Sequence, residues 1–393
     1  MVHKITVFNL LLIIMLCGGC NARNNSLSVI VGADQPESYL YQLMGKRVAL
    51  MVNQTSTKGD QHLVDFLFNE KIDIQKIFAV EHGFRGQTAN GEEFNDAIDP
   101  KTGIEIISLY GQKKKPSSDD LANIDVVVFD IQDVGCRFYT YISSLFYLME
   151  ACAENQISLI VLDRPNPNGN YVDGPVLDLK LQSFVGMLPI PVVHGCTVGE
   201  LALMINGEGW LSNSLKCNLN VVSVKNYTHS DLYSLPIPPS PNLPNDTAIR
   251  LYPSLCFFEA TNVSIGRGTK FPFQVIGFPG CTVGDFTFTP ETIVRVSLNP
   301  LYEGETCTGI DLRTLNTVPQ FTLKYFIQFA NEFDDKSKFW KSKRWIDLLS
   351  GTPEFYEQIN SDMKESEIRA SWQPKLKAYK NMRKQYLLYP DFE

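Results

Sequence analysis

No glycine-rich phosphate cradle is present in this chain. No G-x-G-x-x-G follows a predicted strand and no G-x-x-x-x-G-K-[ST] occurs, so nucleotide binding is not indicated. A basic excess is missing too: 35 Lys and Arg stand against 43 Asp and Glu, a net charge of −8, which argues against a nucleic-acid partner. The one short basic run, Lys113-Lys114-Lys115 beside Pro116, reads as a solvated loop. Of nine cysteines, Cys17 and Cys20 lie near the N-terminus. The other seven are odd in number, widely spaced and free of C-x-x-C, so neither a zinc site nor a disulfide framework is indicated. An exported chain would permit one or two bridges. The longest apolar run, residues 7–16, is too short to span a bilayer.

That run reads instead as a targeting segment. Lys4 precedes it and Leu16-Cys17-Gly18-Gly19-Cys20 follows, a lipobox-like ending on small residues. The expectation is a signal peptide over residues 1–19, lipidation at Cys20, and a polar tether with lead-in over 20–45. The chain would then be exported and anchored to a membrane facing the periplasm. The alternative is simple cleavage to a soluble periplasmic or secreted protein.

From Lys46 onward short apolar runs alternate with helical patterns. Strands are predicted over 47–52 (RVALMV), 74–80, 104–109, 125–130 (DVVVFD), 158–163 (SLIVLD) and 219–224. Residues 60–70, with Leu63, Phe66 and Leu67 at helical spacing, read as a helix, as do 139–154 and 198–206. Residues 81–103 read as a long loop. β-Branched strands separated by helices predict a doubly wound, mostly parallel α/β sheet, Rossmann-like in plan. The five prolines of LPIPPSPNLP at 235–244 cannot sit in a helix or a central strand. They mark a crossing from a domain over 46–235 to a smaller C-terminal α+β domain over 236–393 that closes the cleft.

Polar side chains gather where the predicted strands end. Asn53, Glu81 with His82, Tyr110, Asp130 with Asp133, and Asp163 with Arg164 all follow strands. In a parallel sheet those ends share one edge, where open α/β sheets bind ligands. Glu81-His82 ends a buried-looking run and is held rigidly; the alternative is a surface pair of Glu81 with Arg85. FDIQDVGCRFYTY at 129–141 supplies Asp133, Arg137, Tyr139 and Tyr141, and Gly135 permits a tight turn before a helix. Asp130 is read there as a turn cap. Arg164 is either a substrate-positioning group or the ion-pair partner of Asp163. His194 reads as a structural histidine or, as the second His-Gly in the chain, as a site residue. Glu259, Thr261, Asn262, Arg267 and Thr269 form a loop dense in hydrogen-bonding groups, expected to face the first domain across the cleft.

Carboxylates, tyrosines and an arginine without a nucleotide site fit glycoside hydrolysis. Two carboxyl groups usually flank the bond, and a tyrosine nucleophile or the substrate's acetamido group can replace one of them. Burial at a strand end would keep Glu81 protonated as the general acid.

Several long motifs, in one order, carry a resemblance. EHGFRG at 81–86, FDIQDVG-x-RFYTY at 129–141, DRPNP at 163–167, HG-x-T-x-GELA at 194–202, PSPNLP at 239–244 and FE-x-TN-x-S-x-GRGT at 258–269 resemble the NamZ-type exo-β-N-acetylmuramidases. The resemblance implies a Rossmann-like domain with a smaller C-terminal one. It implies release of N-acetylmuramic acid from non-reducing ends of peptidoglycan fragments, without a nucleotide cofactor. It places the catalytic glutamate on Glu81 and the active-site tyrosine on Tyr139.

Substrate contacts are then expected from Asn53, His82, Asp133, Arg137, Tyr141, Arg164, His194, Glu259, Asn262 and Arg267. Arg137 is the first choice, and Arg267 the second, to read the lactyl carboxylate of the sugar. No metal or other cofactor is expected. The rival readings are a non-catalytic muropeptide-binding lipoprotein and a metal-dependent hydrolase using His82, His194 and Asp133. Cys136, Cys196 and Ala260 depart from the Ala, Met and Gly expected there. Gln87-Thr88 stands where an acidic residue is common, which leaves the rim at 87–93 open to another specificity.

Overall fold

A computed structural model of the chain describes residues 28–85, 92, 95–315, 317 and 319–393. Cys20 and the targeting segment lie outside the described residues, as does all of the 87–93 rim except Glu92.

The central sheet has seven strands in the order Asn218–Val222, Ser158–Leu162, Val126–Asp130, Arg47–Val52, Asp73–Ala79, Glu105–Ser108, Ala97–Ile98. All pairs are parallel except the short edge strand Ala97–Ile98, which falls inside the expected loop. The doubly wound, mostly parallel sheet expected from the β-branched runs is what forms. The chain winds outward from Arg47–Val52 through Asp73–Ala79 and Glu105–Ser108, then returns to Val126–Asp130 on the other side. The order therefore reverses between Arg47–Val52 and Val126–Asp130, and a crevice opens at the carboxyl ends of such a pair.

Side chains alternate across the sheet, so its two faces build two cores. Ala49, Met51, Phe78, Val127, Phe129 and Val161 join the larger core, which runs on into the C-terminal helices. Val48, Leu50, Ile77, Val126, Val128 and Leu162 face the smaller one. Both sets are buried, which explains why the strands read as continuous apolar runs rather than alternating ones.

Two helices begin later than their spacing predicted. Residues 57–62 form a two-stranded hairpin, and the helix Leu63–Asn69 starts after it. The helix expected from residue 139 is Tyr141–Glu154. Ahead of it the chain turns at Gly135, whose φ of 79° and whose approach to the Asn166 side chain leave no room for a Cβ.

The C-terminal part holds a three-stranded antiparallel sheet, Val275–Phe278, Cys307–Asp311 and Phe286–Phe288, and helices including Lys343–Ser350 and Glu365–Arg383. The last helix returns to the first domain. Tyr379 donates to the His194 carbonyl at 2.8 Å and Arg383 Nη2 to the Gly195 carbonyl at 2.7 Å. The proline crossing is tied down as well: Gln54 Nε2 donates to the Pro239 carbonyl at 3.0 Å and Tyr141 to the same oxygen at 3.2 Å. The seven cysteines of the described residues are buried free thiols. No helix among those residues is long and apolar enough to cross a membrane.

Candidate active site

The strand Asp73–Ala79 delivers Glu81 into a turn closed by the Gly83 N–H on the Val80 carbonyl at 2.9 Å. His82 occupies that turn at φ 71°, a conformation rare and costly for a non-glycine residue, and one that clusters at functional sites. Glu81 is half-buried and held from two elements. Tyr110, just past the strand Glu105–Ser108, donates to Oε1 at 2.9 Å, and Thr140 donates to Oε2 at 2.8 Å. Thr140 is the N-cap residue of the helix Tyr141–Glu154, yet its side chain makes no capping bond there. Its hydroxyl serves the carboxylate instead.

This carboxylate lies on the wall of a cavity of about 460 Å³, within the range of small-molecule sites. Tyr139 and Phe138 contribute from the first domain; Tyr252, Glu259, Arg267, Phe273 and Trp345 come from the second. Tyr139 packs edge-on against Tyr141 at 4.9 Å and Tyr252 at 5.8 Å. Its hydroxyl is shielded from water and makes no hydrogen bond of normal geometry. Burial, with the Tyr141 phenol and the carboxylates of Asp133 and Glu81 nearby, pushes the Tyr139 phenol well above its ordinary pKa. Across the cavity Arg267 Nη2 meets Glu259 Oε1 at 2.6 Å, and its guanidinium lies 4.9 Å over the Phe273 ring. Gly266 and Gly268, at φ 77° and 78°, make the turn that carries Arg267.

Of the residues expected to contact substrate, the cavity gathers Glu81, His82, Tyr139, Glu259 and Arg267. Tyr141 sits directly behind Tyr139. The others serve the scaffold. Arg137 is fully buried and does not reach the cavity: Nη1 donates to the carbonyls of Pro175 and Ile190, and Nη2 to that of Leu349. Arg164 grips Asp130, with Nε 2.5 Å from Oδ1, so it holds neither substrate nor Asp163. Asp163 instead accepts from the Gly199 N–H, Thr197 and Tyr389. Arg85 pairs with Asp99 at 3.0 Å rather than with Glu81, the alternative the sequence had left open. Asn53 closes its own turn by accepting from Thr55, and Asn262 props its loop on the Lys338 carbonyl.

Asp133 and His194 form a buried pair behind Tyr139. The Cys196 N–H donates to His194 Nδ1, so the neutral ring carries its proton on Nε2, 3.9 Å from Asp133 Oδ1. Burial drives His194 down to about 3 and Asp133 up to about 7. Well below pH 4 the Asp133 carboxyl is protonated whether folded or unfolded. As pH rises toward 7 only the unfolded form ionises, so stability falls across that window. Asp133→Asn removes that proton. Its stability relative to the parent should rise from pH 4 to pH 8, by about 4 kcal/mol at most. Urea midpoints at both pH values check this, and a difference independent of pH refutes it. His82, His194 and Asp133 do not come together as a ligand set: no cluster of three such side chains able to hold a metal occurs among the described residues.

Sequence reading missed Thr140, Phe184, Tyr252, Phe273 and Trp345 on the cavity wall, and it did not bring Lys114, in a partly exposed loop, to that wall. For Thr140 a signal existed, since it stands between Tyr139 and Tyr141. The aromatic residues from distant segments carried none.

Known proteins share both sequence and fold with this chain. A DUF1343 family protein of Bacteroides fragilis NCTC 9343, solved by crystallography, is 46% identical with a TM-score of 0.85, covering 93% of this chain and 99% of its own. A second such protein from that organism is 29% identical with a TM-score of 0.81, covering 92% and 99%. The peptidoglycan β-N-acetylmuramidase NamZ of Bacillus subtilis strain 168 is 37% identical over 388 residues, 89% of each chain. The family described as exo-β-N-acetylmuramidase NamZ matches through its N-terminal part at residues 48–247 and its C-terminal part at 250–389. With both parts matched in order, and Glu81, Tyr139 and Arg267 around one cavity, this chain belongs to the NamZ exo-β-N-acetylmuramidase family.

Proposed function

We propose that this protein is a glycosidase that removes N-acetylmuramic acid from the non-reducing ends of peptidoglycan fragments, with Glu81 as general acid. The observation that carries the reading is the Glu81 carboxylate, fixed by Tyr110 and Thr140 on the wall of a cavity that also holds Tyr139. The family membership and the name of the B. subtilis relative support it. Incubation with an aryl N-acetylmuraminide tests it, because an enzyme releases the aglycone and a binding protein does not.

The other carboxylate on the cavity wall among the described residues, Glu259, is engaged by Arg267. Tyr139 is held in its protonated form. The attacking group is then the substrate's own acetamido oxygen, with Glu81 protonating the leaving oxygen. This route retains configuration, so proton NMR of the first-formed sugar should show the β-anomer. An α-anomer formed first refutes it.

The lactyl carboxylate distinguishes muramic acid from N-acetylglucosamine, and a planar guanidinium grips such a group in two places. With Arg137 committed to backbone carbonyls, Arg267 takes this role. Arg267→Lys keeps the charge and loses the fork, so it should weaken binding by about 1.5–3 kcal/mol and lower selectivity over the glucosaminide by a similar factor. Arg137→Lys should lower thermal stability and leave selectivity intact. Comparing kcat/KM on both sugars decides: equal loss on the two by Arg267→Lys removes it as the reader.

Lipid attachment at Cys20, with the protein facing the periplasm, completes the proposal and rests on the lipobox-like run alone. Cys20→Ser should move the protein from the membrane fraction to the soluble one; a variant that stays with the membrane refutes the anchor.

A further inference from the structure

The cavity carries an arginine and a lysine among its described residues, Arg267 from the second domain and Lys114 from the first. A terminal N-acetylmuramic acid offers one carboxylate. The flanking lysines of the basic run are occupied, Lys113 by Asp120 and Lys115 by Glu150 and Glu154. Lys114 is instead seated 5.0 Å over the Phe184 ring. Phe184 packs against Tyr147, and its ring centre is 6.4 Å from that of Tyr110, whose hydroxyl bonds Glu81. A chain of contacts thus runs from the acid to the ammonium: Glu81, Tyr110, Phe184, Lys114.

A general acid donates to the leaving oxygen, so the departing chain lies on the side of Glu81. The first sugar to depart, N-acetylglucosamine, bears no charge. The next, another muramic acid, carries a second lactyl carboxylate. We propose that Tyr110, Phe184 and Lys114 form a leaving-chain subsite in which Lys114 reads the carboxylate of that second muramic acid. This rests on the glycosidase reading above and extends it: the preferred substrate is a glycan of at least three sugars, muramic acid at both ends, rather than the disaccharide. A partly exposed ammonium–carboxylate contact is worth about fivefold in affinity at low salt, and less at high salt.

The test compares the trisaccharide N-acetylmuramyl-N-acetylglucosaminyl-N-acetylmuramic acid with the disaccharide that lacks the third sugar. Both kcat/KM and calorimetric Kd are measured for the parent chain, Lys114→Gln and Lys114→Arg. The parent should favour the trisaccharide by about fivefold. Lys114→Gln should bring that ratio to one, and Lys114→Arg should keep most of it. A parent with no preference overturns the subsite. So does a Lys114→Gln variant that loses equally on both substrates, since Lys114 would then read the terminal sugar or act on structure. If neither substrate is cleaved yet the trisaccharide binds more tightly through Lys114, the subsite stands and the enzyme reading falls. Absence of both turnover and binding overturns the two together.

Discussion

Replacing Glu81 by glutamine should lower kcat/KM on a disaccharide substrate by about 10² to 10⁴, the usual worth of a positioned general acid. The substitution keeps the shape of the side chain. The hydroxyls of Tyr110 and Thr140, which donate to Glu81 Oε1 and Oε2, can each rotate to accept from an amide, so the turn at Val80–Gly83 should survive. What is lost is the proton for the leaving oxygen. An N-acetylglucosamine leaving group needs that proton badly; a nitrophenolate, a much weaker base, needs it little. The loss should therefore be much smaller on the aryl glycoside than on the disaccharide. Near-normal turnover of the disaccharide by Glu81→Gln would remove the assignment. An equal loss on both substrates would recast Glu81 as a binding residue.

How well each residue could be read from sequence followed the reach of its contacts. The strands of the central sheet were visible because both faces are covered, so Val126–Asp130 and Arg47–Val52 read as unbroken apolar runs. Glu81 was visible because a local rule puts it at a strand end, on the edge where ligands bind. Arginine roles were not visible. Arg137 lies two residues from Tyr139, but its Nη2 donates to the Leu349 carbonyl, 212 positions away. Arg85 and Arg164 followed strands as expected, yet their partners, Asp99 and Asp130, come from a loop and a neighbouring strand. A charge's partner is set by tertiary packing, and one sequence does not show it. Lys114 failed for the same reason: three consecutive lysines look solvated, and only the fold puts the second over Phe184, 70 positions on. The Glu259–Arg267 pair spans only eight positions, from the 3-10 helix Cys256–Ala260 to the turn after it, and there the short-range reading did place both residues on the cavity wall.

Tyr139→Phe should retain between about one hundredth and one thousandth of the parent activity, the loss expected for one hydrogen-bond donor aimed at developing charge. A nucleophilic phenolate would predict abolition. The setting of Tyr139 argues for the donor. It is 8% exposed, packed edge-on against Tyr141 and Tyr252, and lies near the carboxyl groups of Asp133 and Glu81. Burial above all disfavours the phenolate, so the proton stays on the oxygen and is available to donate. Acetamido attack builds positive charge on the ring and the acetamido group and negative charge only on the leaving oxygen. The Tyr139 hydroxyl, which makes no hydrogen bond of normal geometry, therefore serves by donating to an oxygen of the substrate. Two measurements separate the mechanisms. Under acetamido participation, a muraminide whose acetamido group is replaced by hydroxyl should not be turned over by the parent chain, while Tyr139→Phe keeps its remnant on the normal substrate. Under phenolate attack, the hydroxyl analogue should still be cleaved, Tyr139→Phe should be inert even on an activated aryl glycoside, and mass spectrometry should find Tyr139 carrying a sugar when the second step is slowed.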